Sequence, residues 1–146
     1  MKSLVVFLVV SMYCLVAQAE VCIDLERVKM IESSGNPRAH NTYSHARGLY
    51  QVTPICLRDW NNYHPNDIHT EKELFNSVVN TKIADWYINT RIPQMLQHYG
   101  IEDTVNNRLI AYNAGVGCLI GGRSLPSETV EYIRKYHEGG SDGRLQ

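Results

Sequence analysis

The sequence has no excess of charge of either sign, no internal repeat and no metal-binding spacing, and each absence closes a class of function. Its 14 Lys+Arg stand against 15 Asp+Glu, a formal charge of −1 over 146 residues. Neutralising a phosphate backbone needs a basic face, so nucleic acid is not the expected partner. No period of about 20–50 residues recurs, which excludes a solenoid. Neither a Cys-x-x-Cys pair nor a His-Glu-x-x-His run occurs, so no metal is expected, and nothing calls for a cofactor. No apolar run reaches the roughly 20 residues that a spanning helix needs.

What is present suits one folded domain. Hydrophobic residues make up 44% and charged residues 20%, enough to bury a core. The N-terminus has three parts: Lys2, an apolar run from Leu4 to Val16, and the small-residue site Ala17-Gln18-Ala19. This is the pattern of a signal peptide over residues 1–19, and an anchor helix would need a longer run. Cys14 follows Tyr13 and Cys22 follows Val21, without the small residue of a lipoprotein site. The expectation is an exported protein, periplasmic or extracellular, with no stable membrane anchor after processing. With Lys2 removed, 13 Lys+Arg and 15 Asp+Glu remain, a charge of −2. Cys22, Cys56 and Cys118 also remain, so at most one intramolecular disulfide can form, and the sequence does not choose among the three pairings.

From residue 20 the pattern is mainly helical. Val21, Leu25 and Val28 trace one helix face, and Ser33-Ser34-Gly35-Asn36-Pro37 stops it. Residues 38–52 have no sustained period and read as a loop or small hairpin. Thr53-Pro54 reads as an N-cap followed by proline at the first helical position of a helix to about Asn61. A longer helical stretch from Glu71 to Tyr99 carries Val79, Ile83, Trp86 and Tyr87 on its apolar face. It either kinks at Pro93 or restarts there, and Gly100 ends it. Thr104 caps a helix bearing Leu109, Ile110 and Tyr112 that Gly115 ends; Pro126-Ser127 opens a last one with Val130, Ile133 and Tyr136 inward. The expected domain spans 20–138, with a flexible tail over 139–146.

Extending the Val21–Leu25–Val28 face by four reaches Glu32. A carboxyl on a buried face has a raised pKa and can act as a general acid near neutral pH. A frayed last turn with Glu32 in water fits the same spacing, and periodicity alone leaves both readings open. Gly48-Leu49-Tyr50-Gln51 precedes a helix and offers an amide, and Ala111-Tyr112-Asn113-Ala114-Gly115 places a phenol at a helix end beside small residues. Asp59 and Asp67 read as surface residues.

Taken in order, Glu32-Ser33-Ser34-Gly35-Asn36-Pro37, Gly48-Leu49-Tyr50-Gln51 with Pro54, Ala111-Tyr112-Asn113-Ala114-Gly115 and Pro126-Ser127-Glu128-Thr129 with Tyr132 resemble the soluble lytic transglycosylase catalytic domain. That family has a lysozyme-like fold and cleaves peptidoglycan. The resemblance covers about residues 21–137. It implies a mainly α, single lysozyme-like helical domain with a small loop or hairpin region after the first helix. It implies that Glu32 is the catalytic acid/base, and that Gln51, Tyr112, Asn113 and Glu128 bind substrate. Tyr50 stands where the family has Met, Thr53 where many members have an apolar residue, and the loop before Gly48 is about one residue longer. The family's sugar-binding serine in that loop aligns with Asn41 or Thr42.

The implied reaction cuts the MurNAc–GlcNAc β-1,4 bond of glycan strands and closes a 1,6-anhydro ring on the muramic acid. Two rivals stand beside it. One is a hydrolytic muramidase on the same scaffold. The other is a non-catalytic wall-binding or assembly component of a secretion, conjugation or phage machine, which leaves secretion or conjugation machinery open as a partner. The small chain suits local wall opening rather than bulk turnover.

The export reading has a direct check. Intact-mass analysis of the exported protein is expected to show a chain starting at Glu20, and a product still carrying Met1 would overturn it.

Overall fold

The computed structural model describes residues 20–122 and 124–139. The expected signal peptide, and the expected tail from residue 140, lie outside the described residues. Six α-helices occur among the described residues: α1 (Leu25–Ser33), α2 (Pro54–Tyr63), α3 (Ser77–Trp86), α4 (Ile92–His98), α5 (Val105–Ala114) and α6 (Ser127–Glu138). Short 3₁₀ turns lie at Glu71–Phe75 and Val116–Cys118, and a π turn at Tyr87–Arg91 joins α3 to α4. The fold is mainly α, as expected, and no strand occurs among the described residues. The hairpin region after the first helix is reduced to two backbone bridges, His40 to Arg47 and Arg47 to Val52. No helix among the described residues is long and apolar enough to cross a membrane.

Helix limits follow side-chain caps more than apolar period. The Asp24 carboxylate accepts from the N–H groups of Glu26 and Arg27 at 3.0 and 3.3 Å. It thereby starts α1 after Val21, which the period had put on the helix. Thr53 caps α2 with Pro54 in its first turn, as its sequence indicates, though α2 runs on to Tyr63. The expected long helix over 71–99 is broken. Asn76 accepts from the N–H groups of Val78 and Val79 and begins α3 anew. Ahead of Pro93, which has no N–H to give, the Ile92 N–H reaches back five residues to the Tyr87 carbonyl. At the C-terminus of α4, Ile101 N–H bonds Leu96 O at 2.9 Å and Gly100 N–H bonds Gln97 O at 3.1 Å, with Gly100 at φ +64°. On α6 the inward residues are Thr129, Tyr132 and Tyr136, while Val130 is 54% exposed. The short apolar run had suggested Val130; the packing of α6 on α1 and α5 turns the aromatic stripe inward instead.

The main core joins Val28 of α1, Trp60 of α2, Leu74, Ile83 and Ile88, Leu109 of α5, and Tyr132 and Tyr136 of α6. A smaller cluster of Ile92, Leu96 and Ala111 fastens α4 to α5. The Tyr136 hydroxyl accepts from Asp24 N–H at 2.7 Å and ties the start of α1 to the last helix. Cys22 is exposed, Cys56 buried and Cys118 half-buried, and all three are free thiols.

One polar side chain sits at the centre. Asn80, on α3, is 0% exposed. Its amide donates to Arg47 O and Leu74 O, both at 2.8 Å, and accepts from Tyr50 N–H at 2.9 Å. It holds the Gly48–Gln51 turn against the core. Gly48 has φ +78°, and a Cβ there would overlap the Asn80 amide and the Leu74 carbonyl. Removing the amide strands the buried Tyr50 N–H, so Asn80→Ala is expected to destabilise the domain by about 2–4 kcal/mol in urea unfolding. Unchanged stability would mean that the turn holds without it.

Candidate active site

The helices and the turn held by Asn80 leave a cavity of about 510 Å³. Its walls come from the end of α1, the loop around residues 41–51, the start of α2, the end of α5 and the first three turns of α6. Glu32, Gln51, Tyr112, Asn113 and Glu128 all line it. Segments up to 96 positions apart in sequence are therefore neighbours around one space.

Glu32 is the penultimate residue of α1. The last turn is not frayed. Ser34 N–H bonds Met30 O at 3.0 Å, and the Ser33 hydroxyl donates to Leu49 O at 2.7 Å. Glu32 therefore projects into the cavity rather than into open water. Burial pushes its carboxyl from the usual range up to about 7. The Tyr132 hydroxyl pulls the other way, and the negative charge of Glu128 adds to the rise. Tyr132 is buried, and its hydroxyl completes no hydrogen bond of normal geometry among the described residues. Its influence on Glu32 is therefore that of a nearby donor rather than a closed bond.

Gln51 lies at φ +50°, and its side-chain N–H donates to Gly48 O at 3.0 Å. Its amide oxygen has no partner among the described residues. Tyr112, expected to bind substrate, lines the cavity with its phenol anchored to the protein. Its hydroxyl donates to Tyr50 O at 2.6 Å, so its one proton is committed to the turn. Burial, with the Glu32 charge next, holds that phenol well above its ordinary pKa. Asn113 accepts from the Thr129 hydroxyl at 2.8 Å, which fixes the amide and leaves its NH₂ uncommitted. Glu128 stands exposed in the first turn of α6.

Other lining residues escaped the sequence reading. Tyr132 was visible only as part of a motif, yet it is the phenol nearest in effect to Glu32. Glu128, Glu131, Tyr132 and Lys135 share one face of α6 at helical spacing, which could have found them. Of the two loop candidates, Asn41 lines the cavity and Thr42 does not. Asn41 accepts from the N–H groups of Tyr43 and Ser44 at 2.9 and 3.1 Å, a local turn that presents both to the same space. Tyr43 is 96% exposed at its rim. Asp59 and Asp67 are elsewhere, paired with Arg91 at 3.1 Å and Lys82 at 2.7 Å. No group of three or more His, Cys, Asp and Glu among the described residues is arranged to hold a metal ion.

The raised carboxyl ties stability to pH. A folded-state value of about 7 against 4.5 unfolded means that the fold prefers the neutral acid. That contribution is whole below pH 4.5 and is lost as pH rises through about 7. Glu32→Gln is therefore expected to match wild type near pH 4.5 and to exceed it by about 2–3 kcal/mol at pH 8, read by urea unfolding at both. A gap of the same size at both pH values would remove Glu32 as the cause.

Comparison with known proteins gives one match and one absence. No curated protein matches the chain. Residues 25–128 match the transglycosylase SLT domain, a span from the first residue of α1 to the first turn of α6 that takes in Glu32, Gln51, Tyr112, Asn113 and Glu128. On that match, across most of its length, the chain belongs to the transglycosylase SLT domain family.

Proposed function

We propose that the protein is a peptidoglycan lytic transglycosylase that uses Glu32 as its single acid and base. The observation that carries this reading is a carboxyl raised to about 7 by burial, facing a cavity large enough for sugar rings. Membership of the family supports the polymer: a peptidoglycan glycan strand.

The chemistry follows from one group changing role. Protonated Glu32 gives its proton to the oxygen leaving C1 of N-acetylmuramic acid. Positive charge grows at C1, and the sugar's own acetamido oxygen shares it. Glu32 is then a carboxylate in a poorly hydrated place, which makes it a better base than in water. It takes the proton from the C6 hydroxyl of the same sugar, whose oxygen closes on C1. The products are a chain ending in the 1,6-anhydro sugar and a chain with a new free hydroxyl. Glu32 ends protonated, and no water is consumed.

The surrounding groups have supporting tasks. The Asn113 NH₂ and the Gln51 amide oxygen, without partners among the described residues, can bond sugar hydroxyls or the acetamido group. Tyr112 fixes the turn that carries Gln51. The buried, unsatisfied Tyr132 hydroxyl is placed to donate to Glu32 once the latter has lost its proton, which limits the cost of the charge. A hydrolytic muramidase is the second reading. It rests on Glu128, a further carboxylate on the same cavity whose charge Glu32 feels, which could hold a water. Export to the periplasm or cell exterior belongs with either reading.

Product mass separates the two. Digestion of purified sacculi is expected to release muropeptides lighter by one water than hydrolysis products, and reducing ends instead would favour the muramidase. Glu32→Gln should keep the fold and lose activity by about 10⁴-fold or more, since general acid catalysis alone is typically worth about 10²–10⁴ and the base is lost with it. A folded Glu32→Gln protein with near-normal activity would overturn the assignment.

A further inference from the structure

A second cavity, of about 430 Å³, lies along the seam between α1 and the end of α6. It shares two walls, Ile31 and Lys135, with the cavity that holds Glu32. The two are adjoining parts of one groove. Its floor is apolar: Ile31, and Met30, which is 55% exposed.

Its charged lining is Glu26, Arg27 and Lys135, and Glu26 is paired with Lys29. Arg27 is engaged, paired with Asp24 at 3.2 Å, donating to Tyr136 O at 3.2 Å and lying over the Tyr136 ring. The Lys135 ammonium, at the junction of the cavities, closes no hydrogen bond or ion pair among the described residues, although its charge is felt by Glu131 one turn earlier, which Arg134 holds more strongly. On the other side of the junction stand three carboxyl groups, Glu32, Glu128 and Glu131. Glu131 is already held by Arg134 at 2.5 Å. With Glu32 protonated, the Glu128 charge remains to repel an anionic group of a ligand seated there, along the groove towards Lys135.

The ligand class follows from what a peptidoglycan strand can offer. Its repeating sugars carry no net charge where the lactyl carboxyl of each muramic acid is amidated to a stem. The anionic groups are on the short peptide stem that hangs from the lactyl ether of each muramic acid, and that stem also carries methyl-bearing residues. We propose that the α1–α6 groove takes this peptide stem, with Lys135 pairing one of its carboxylates and Met30 and Ile31 lying under its apolar side chains. This rests on the reading of the substrate as peptidoglycan. The reach agrees. Seven residues of α6 separate Glu128 from Lys135, a rise of about 10 Å. Three extended residues cover about the same distance. Lys135 is thus a specificity determinant, outside the bond-breaking step.

Binding tests this without turnover. The probes are soluble, uncross-linked glycan strands with their stems intact, and the same strands after an amidase has removed the stems and each freed lactyl carboxylate has been capped as a methylamide. In the Glu32→Gln background, stem-bearing strands are expected to bind about tenfold more tightly than bare ones, the effect of one charge-assisted bond. Lys135→Met should bring the ratio close to one, and Lys135→Arg should keep most of it, with thermal melts showing that each variant is folded. Equal binding of both strands, or an unchanged ratio in Lys135→Met, overturns the proposal. A chain ended at Gly139 that binds stem-bearing strands about tenfold better still would assign the groove to residues 140–146 and overturn it too. If wild type leaves both strands uncut while the binding ratio holds, the catalytic reading fails and the groove assignment stands.

Discussion

A single buried amide organises the site. Asn80 comes from α3, which contributes no wall to the cavity, yet three of its polar atoms' bonds end on backbone around Gly48. Hydrogen bonds left unmade in a core cost more than those made contribute, so the turn has one arrangement that satisfies the buried groups. The side chains it then presents have fixed addresses. Gln51 is aimed by its own bond to Gly48, Ser33 is pulled in by Leu49 O, and Glu32 goes with Ser33. Only glycine fits at position 48 because the amide and the turn occupy the space a side chain would need.

The electrostatics of Glu32 are a balance of opposing effects. Burial raises its pKa the most, the Glu128 charge raises it further, and the Tyr132 hydroxyl restrains the rise. A group held near neutrality can be found with its proton on or off at ordinary pH, which a residue acting first as acid and then as base requires. The same burial that makes the proton available weakens the folded state once the proton has left. Function and stability pull on this carboxyl in opposite directions.

Much of the fold could be read from the sequence because the signals are local. Thr53-Pro54, Thr104 and Gly100 each act through bonds to neighbours within a few residues, and the helices start and end where they indicate. Asn76 is local too, but it looks like any polar residue in a helical run until its oxygen is seen to accept two N–H groups. The members of the candidate site are legible as motifs, whereas their bonds are not. Tyr112 looks like a group that faces Glu32, and its proton in fact goes to a carbonyl 62 residues away. Periodicity could not decide between a buried and a frayed Glu32, since the answer lies in Ser33 reaching a carbonyl 16 residues on.

Those separations have a consequence for motion. The carbonyls of residues 47 to 50 are occupied, by Asn80 and Val52, by Gln51, by Ser33 and by Tyr112 in turn. The side-chain partners from outside the segment, Ser33, Asn80 and Tyr112, sit on α1, α3 and α5. A segment with no regular secondary structure is thus laced to three helices and cannot open alone. Its bonded amides, those of Arg47, Gly48 and above all Tyr50, belong with the slowest-exchanging part of the molecule and become accessible only when the whole domain opens. The stretch that reads as a loop is, in its dynamics, core.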